Sequence, residues 1–281
     1  MSSFLIIHLI AIVISISCSL LGVFLVLKKM SMLTDAITHT VLLGIVLCFF
    51  IVHRLDSPFL IVGASVFGVL TVYLVELLSS TKLVKEDAAI GIVLAFLFSL
   101  AVILISKYTA NIHLDIDAVL LGEIAFAPFH LKEIFGYKIA NALVTGVSVL
   151  VINIVFIIIF FKEIKISIFD KVLASSLGLM PVLIHYLLMT MVSITAITSF
   201  EAVGATLMIS FMVGPAATAY IISKRLREMI FYSVIFGVLS SIIGVNIAMK
   251  LDVSISGAIS VTVAVIFLIV FFINKKRKFS F

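Results

Sequence analysis

"KKMSMLTDAITHTVLLGIVLCFF", residues 28–50, opens on two lysines and closes in an unbroken apolar run. A helix needs ~20 predominantly apolar residues to cross a ~30 Å hydrocarbon core. From Met30 onward the stretch meets that requirement with one carboxylate and one imidazole inside it, Asp35 and His39. It therefore reads both as a membrane-spanning helix and as a place where ionisable groups sit in oil at a cost.

The rest of the chain repeats the pattern. Of 281 residues, 64% are hydrophobic and 12% charged, and the mean hydropathy is +1.41, whereas soluble domains are roughly 45–50% apolar. Apolar runs predict helices over 4–27, 30–52, 58–80, 88–107, 136–161, 180–199, 202–223, 229–249 and 253–274. The fold class is an all-α integral membrane bundle of eight or nine transmembrane helices, with residues 1–281 forming a single transmembrane domain. The tight connection around Ser199–Ala202 leaves the count at eight or nine, and the amphipathic stretch 111–135 predicts a short helix that does not span. The first apolar run is too long for a signal-peptide core and reads as a retained helix.

Charge gives the orientation. Most basic residues fall in short clusters between apolar runs: Lys28 and Lys29; Lys82 and Lys85; Lys162, Lys165 and Lys171; Lys224, Arg225 and Arg227; and the terminal "NKKRKFSF", residues 274–281. Such clusters mark cytoplasmic connections, so the net charge of +5 does not point to nucleic acid. With nine crossings the C-terminus lies inside and the N-terminus outside. Asp115, Asp117, Glu123 and Glu201 then fall on the outer side, where carboxylates at a mouth attract cations. Cys18 and Cys48 lie inside apolar helices and behave as small hydrophobes. No G-x-x-x-x-G-K-[ST] phosphate loop is present, so ATP is not bound by that route.

Asp35 and His39 are spaced i, i+4, on one face of a helix. A carboxylate oxygen with an imidazole nitrogen suits Mn²⁺, Zn²⁺ or Fe²⁺. Two ligands make half a site, and a symmetric pair of chains would supply four. The competing reading is that acid and imidazole merely satisfy each other inside the bundle. Thr34, Thr38 and Thr40 predict a wall facing a wet pathway.

Three other stretches stand out. "KEIKISIFDKVLASSLGL", residues 162–179, predicts a short amphipathic helix at the membrane surface, with Ile164 among its contact residues, able to dock on a partner. Residues 199–222 carry small residues suited to close helix packing in lipid, with Pro215 predicting a kink. Residues 111–126 hold His113, Asp115, Asp117 and Glu123, which read first as an exposed polar loop, with an entry site for cations or a docking surface for a soluble donor protein as the alternatives. Glu76 has no obvious partner in sequence and falls toward the cytoplasmic end of its helix, His185 and Tyr186 read as satisfied interior residues, and none of the three belongs to the expected site.

Four stretches together resemble the permease subunits of ATP-binding-cassette importers for zinc, manganese and iron ions: "LVLKKMSMLTDAITHTVLLGIVL" at 25–47, "LDIDAVLLGEIAFAPF" at 114–129, "IFDKVLASSLGL" at 168–179 and "EAVGATLMISFMVGPAATAYII" at 201–222. The resemblance implies a bacterial inner-membrane permease with no enzymatic activity of its own, transporting a divalent metal and keeping no permanent cofactor. It implies as partners two copies of an ATP-binding subunit, a second permease copy or paralogue, an extracytoplasmic metal-binding protein and membrane lipid. Asp35 and His39 match the metal-coordinating positions. Phe169, Asp170 and Lys171 fall in the helix that couples to the ATPase, and Gly204 and Pro215 match packing and kink positions. Members of the family have Ser and Ala flanking the histidine and a Pro soon after. Thr38, Thr40 and Leu43 stand there in this chain, which predicts a straighter second helix. The rival readings are a proton-coupled secondary metal transporter, with Asp35 and His39 as a proton relay, and a permease for a metal chelate.

Overall fold

A computed structural model describes residues 3–53, 59–108, 124–129, 131–134 and 137–278. Lipid offers the backbone no hydrogen-bond partner, so each long apolar run satisfies its own groups by coiling. The helices are α1 (Ser3–Leu27), α2 (Met32–Val52), α3 (Phe59–Ser80), α4 (Glu86–Tyr108), α5 (Asn141–Phe169), α6 (Lys171–Ser176), α7 (Pro181–Val203), α8 (Ala205–Ile222), α9 (Leu226–Leu251) and α10 (Ile255–Lys278). Among the described residues, nine of them, all but the short α6, are long and apolar enough to cross a membrane. The upper of the two expected counts is the one found.

Two expected elements differ. Residues 131–140 carry a β-hairpin, β1 (Leu131–Ile134) against β2 (Tyr137–Ala140), with Glu133 opposite Lys138 in the register. The fifth long helix accordingly starts at Asn141 and not near residue 136, and the expected short helix is replaced over its described part by a 3-10 turn, Ala127–Phe129, followed by β1. The β-branched and aromatic residue types of this stretch, Ile134, Tyr137 and Ile139, favour strand over helix. The second difference is the reach of α5. It continues to Phe169, so residues 162–169 extend a spanning helix and only α6 is a separate short one. Lys162, Glu163 and Lys165 read as a loop, yet a helix ~1.5 Å per residue long outruns a ~30 Å core and carries such charges beyond it.

The chain divides into two compact units. The first comprises α1, the hairpin, α5 through Ile159, α7 from Thr198, and α8 to α10. Its core is α1 packed on α8 and α9, with α8, α9 and α10 packed on one another. Phe24, Phe211 and Met212 are fully buried there. Gly22 lets α1 meet the backbone of α8, because a Cβ at that position would collide with the Met212 carbonyl. Asn153 Nδ2 donates to Ser17 Oγ at 2.9 Å, tying α5 to α1.

The second unit comprises α2, α3, α4, α5 from Phe160, α6 and α7 through Ile197. Here α2 packs on both α3 and α4. The backbones of α2 and α3 approach at Gly44, where a Cβ would stand 2.6 Å from the Gly63 carbonyl oxygen. Small residues at such crossings supply the close packing that drives helix association in lipid. The buried Thr40 and Thr71 hydroxyls share a hydrogen bond of 2.6 Å beside that crossing.

Candidate functional site

The site is built by the way α2 divides its faces. Leu33, Thr34, Ala36, Ile37, Thr40 and Val41 are buried. The first two turns leave one stripe outward, Met32, Asp35 and His39, at i, i+3 and i+7. The Asp35 side chain is 48% exposed and that of His39 34%, and His39 Nε2 lies 3.5 Å from Asp35 Oδ1. Asp35 falls in the first turn of α2, where the helix dipole favours a negative charge. The imidazole is braced on its other side by Phe98 of α4, edge to face at 5.6 Å between ring centroids.

This separation suits a shared ion. Two donors each ~2.1 Å from a tetrahedrally bound metal stand about 3.4 Å apart, close to the 3.5 Å observed. Among the described residues no group of three or more His, Cys, Asp and Glu side chains gathers in one place. One chain thus offers two donors at this point.

The threonines behave differently from expectation. Thr34, Thr38 and Thr40 are buried, and the hydroxyls of Thr38 and Thr40 donate to the Thr34 and Ala36 carbonyls at 2.7 and 2.9 Å. All three lie on the packed face of α2, not its wet one, and the Thr38 and Thr40 hydroxyls are satisfied by their own helix, as a carboxylate cannot be.

Of the outer carboxylates, Asp115, Asp117 and Glu123, with His113, lie outside the described residues. Glu201 is exposed in the last turn of α7, and not at the start of the next helix. The two helices are joined by Gly204 alone, at φ 82° and ψ 165°, a conformation open essentially only to glycine. Gly204 therefore breaks the helix between α7 and α8. Pro215 is buried within α8, which continues through it.

The stretch expected to couple to a partner closes on itself. Asp170 caps α6, its carboxylate accepting from the Leu173 N–H at 2.9 Å. At the other end Gly178, at φ 75°, donates to the Ser175 carbonyl at 3.1 Å, and Leu179 donates to the Ala174 carbonyl at 3.0 Å, the pairing of a Schellman ending. Phe169 and Val172 are largely exposed, at 63% and 80%, and Lys171 is exposed beside them. Ile164 is buried and so is not among the contact residues.

One grouping escaped the sequence. Glu76 Oε1 lies 2.6 Å from His185 Nε2, and the Tyr186 hydroxyl donates to Glu76 Oε2 at 2.7 Å. Each is a costly polar group in an apolar helix, which signals that partners exist, but nothing in the spacing says which.

The profile of a family described as "ABC 3 transport family" matches residues 3–274. The chain belongs to the ABC 3 transport family. Within it, the chain is 46% identical over 234 residues to the manganese transport system membrane protein MntD of Bacillus subtilis (strain 168), covering 83% of this chain and 79% of that one. It is 50% identical over 207 residues to the zinc transport system membrane protein TroD of Treponema pallidum (strain Nichols), covering 74% of this chain and 56% of that one. Among solved structures, PsaBC from Streptococcus pneumoniae in complex with Fab superposes with a TM-score of 0.79 at 32% identity, over 96% of this chain and 91% of that chain. Membership of this ABC transport family and the nine apolar helices among the described residues make the chain a multi-pass membrane permease.

Proposed function

We propose that the chain is the permease of an ATP-driven importer that carries a divalent transition-metal ion, manganese, zinc or iron, across the bacterial inner membrane. The observation that carries this reading is the Asp35–His39 pair, donors 3.5 Å apart on the outward stripe of an otherwise packed helix. Relatives named for manganese and zinc transport support the cargo class.

In this reading residues 1–281 act as one transmembrane domain. A second permease copy or paralogue supplies a second Asp and His, completing a four-donor site on the translocation path. Such a site holds the ion by few protein ligands, so that it also lets go, as transport requires. An extracytoplasmic metal-binding protein delivers the ion to an outer mouth where Asp115, Asp117, Glu123 and Glu201 draw cations in. ATP is hydrolysed on two copies of a separate subunit that seats on α6 through Phe169, Asp170 and Lys171. Gly204 and Pro215 set the joint and the packing of α7 and α8.

The test is uptake of ⁵⁴Mn²⁺ and ⁶⁵Zn²⁺ into vesicles holding the complete complex and its binding protein. ATP-dependent uptake is the expected result. Uptake that proceeds without the ATPase subunit, driven by a proton gradient, overturns the reading.

A further inference from the structure

Glu76 lies one turn from the end of α3, and His185 and Tyr186 lie in the opening turns of α7. The two residues of α7 take one carboxylate oxygen each, His185 at 2.6 Å and Tyr186 at 2.7 Å. His185 is only 10% exposed. A second contact between the same two helices lies farther along them. A Cβ on Gly68 of α3 would collide with Ser193 Oγ of α7, and would stand 3.3 Å from Ile37 Cγ2 of α2. The step from 68 to 76 on α3 matches the step from 193 to 185 on α7, so one antiparallel register serves both contacts over ~12 Å of helix.

These contacts form a line within the second unit. α7 begins four residues after α6, beyond the Gly178 closure. It is gripped by Glu76 and seated at Gly68. Ile37, which Gly68 receives, is fully buried and stands between Asp35 and His39 in the sequence. Packed apolar helices shift by small sliding motions. The directional Tyr186 hydrogen bond and the close His185–Glu76 ion-pair contact on one carboxylate oppose such sliding, because both lengthen as soon as either helix moves along the other.

We propose that Glu76 is a positioning residue: by clamping α7 to α3 it carries a displacement of α6 to α2, and so to Asp35 and His39. This rests on the proposed function in one respect, that an ATPase acts at α6. Without the clamp α7 slides on α3, and ATP is hydrolysed without moving α2.

The test uses the full complex in lipid vesicles, with no metal added. The parent carries Cys48→Ser and a reporter cysteine by Met32→Cys, which lies on the outward stripe one turn before Asp35, while Cys18 is buried. The readout is the ratio of maleimide labelling rates with and without ATP, beside the rate of ATP hydrolysis. The parent ratio departs from one by several-fold. In Glu76→Ala the departure shrinks by ~10-fold, within the range that coupling residues command, while hydrolysis stays within ~2-fold. Tyr186→Phe, which removes one bond and leaves the shape, shows a smaller loss, and exchanging the pair by Glu76→His with His185→Glu recovers part of the response. A parent-like ratio in Tyr186→Phe and in whichever Glu76 variant assembles, whether Ala or Gln, overturns the proposal. So does a parent ratio of one, since there is then no motion to carry. Failure of metal uptake in a parent that still responds to ATP counts against the metal cargo alone and leaves the clamp standing.

Discussion

His39 Nε2 and Asp35 Oδ1 stand 3.5 Å apart on the half-exposed stripe of α2, while Ile37, between them in the sequence, is fully buried. One helix thus fixes its register through an apolar residue and presents its donors on the other face. The division follows from the helical period and needs no loop to aim the ligands.

The approach of α2 to α3 depends on Gly44. A Cβ there would meet the Gly63 carbonyl at 2.6 Å, and backbone does not yield as a side chain does. Gly44→Ala is expected to cost about 1–3 kcal/mol, the usual penalty for overpacking. Thermal unfolding in detergent, followed by size exclusion, should show a lowered midpoint, and an unchanged midpoint contradicts the packing described.

Gly204 and Gly178 both hold positive φ, at 82° and 75°, but in different places. Gly178 has open space around it, so Gly178→Ala costs only the ~1–2 kcal/mol of a left-handed residue. Gly204 combines positive φ with ψ 165°, and Gly204→Ala should cost more, up to about 3 kcal/mol. Comparing the yields and melting midpoints of the two variants checks the order, and equal effects would refute it.

The exposed apolar face of α6 is the place where a partner gains most. Val172, 80% exposed, is expected to lie in the ATPase contact, so Val172→Glu should abolish recovery of that subunit with the tagged permease. Asp170→Ala, which removes both a proposed contact and the cap on Leu173, weakens recovery by less, the helix end being destabilised by ~1 kcal/mol. Pull-down at graded salt separates the two effects, and undiminished recovery with Val172→Glu would move the contact elsewhere.

Much of this was legible in the sequence because hydropathy in a membrane is a nearly sufficient code. The spans of α1 to α4 and of α8 to α10 follow from apolar run length alone, within a few residues. The Asp35–His39 pair was legible because both members sit on one helix, where spacing fixes geometry. The Glu76 link to His185 and Tyr186 was not, since its partners come from helices distant in sequence and only the packing brings them together. The hairpin at 131–140 was missed because its charges resemble a solvated loop, and the extension of α5 because Lys162, Glu163 and Lys165 resemble a helix end. The tight connection expected at Ser199–Ala202 lies a few residues later, at Gly204. A glycine among small residues reads as packing, and only its dihedral angles reveal a joint.

The central claim is that Asp35 and His39 hold the ion in transit. The most direct measurement is ATP-dependent ⁵⁴Mn²⁺ and ⁶⁵Zn²⁺ uptake by vesicles containing the assembled complex with Asp35→Ala or His39→Ala, each checked for insertion and for retention of the ATPase subunit. Uptake should fall by more than ~100-fold in either variant, beyond the 10–100-fold that loss of an outer-shell partner costs a metal site. Assembled variants that take up either ion at close to the unaltered rate would contradict it.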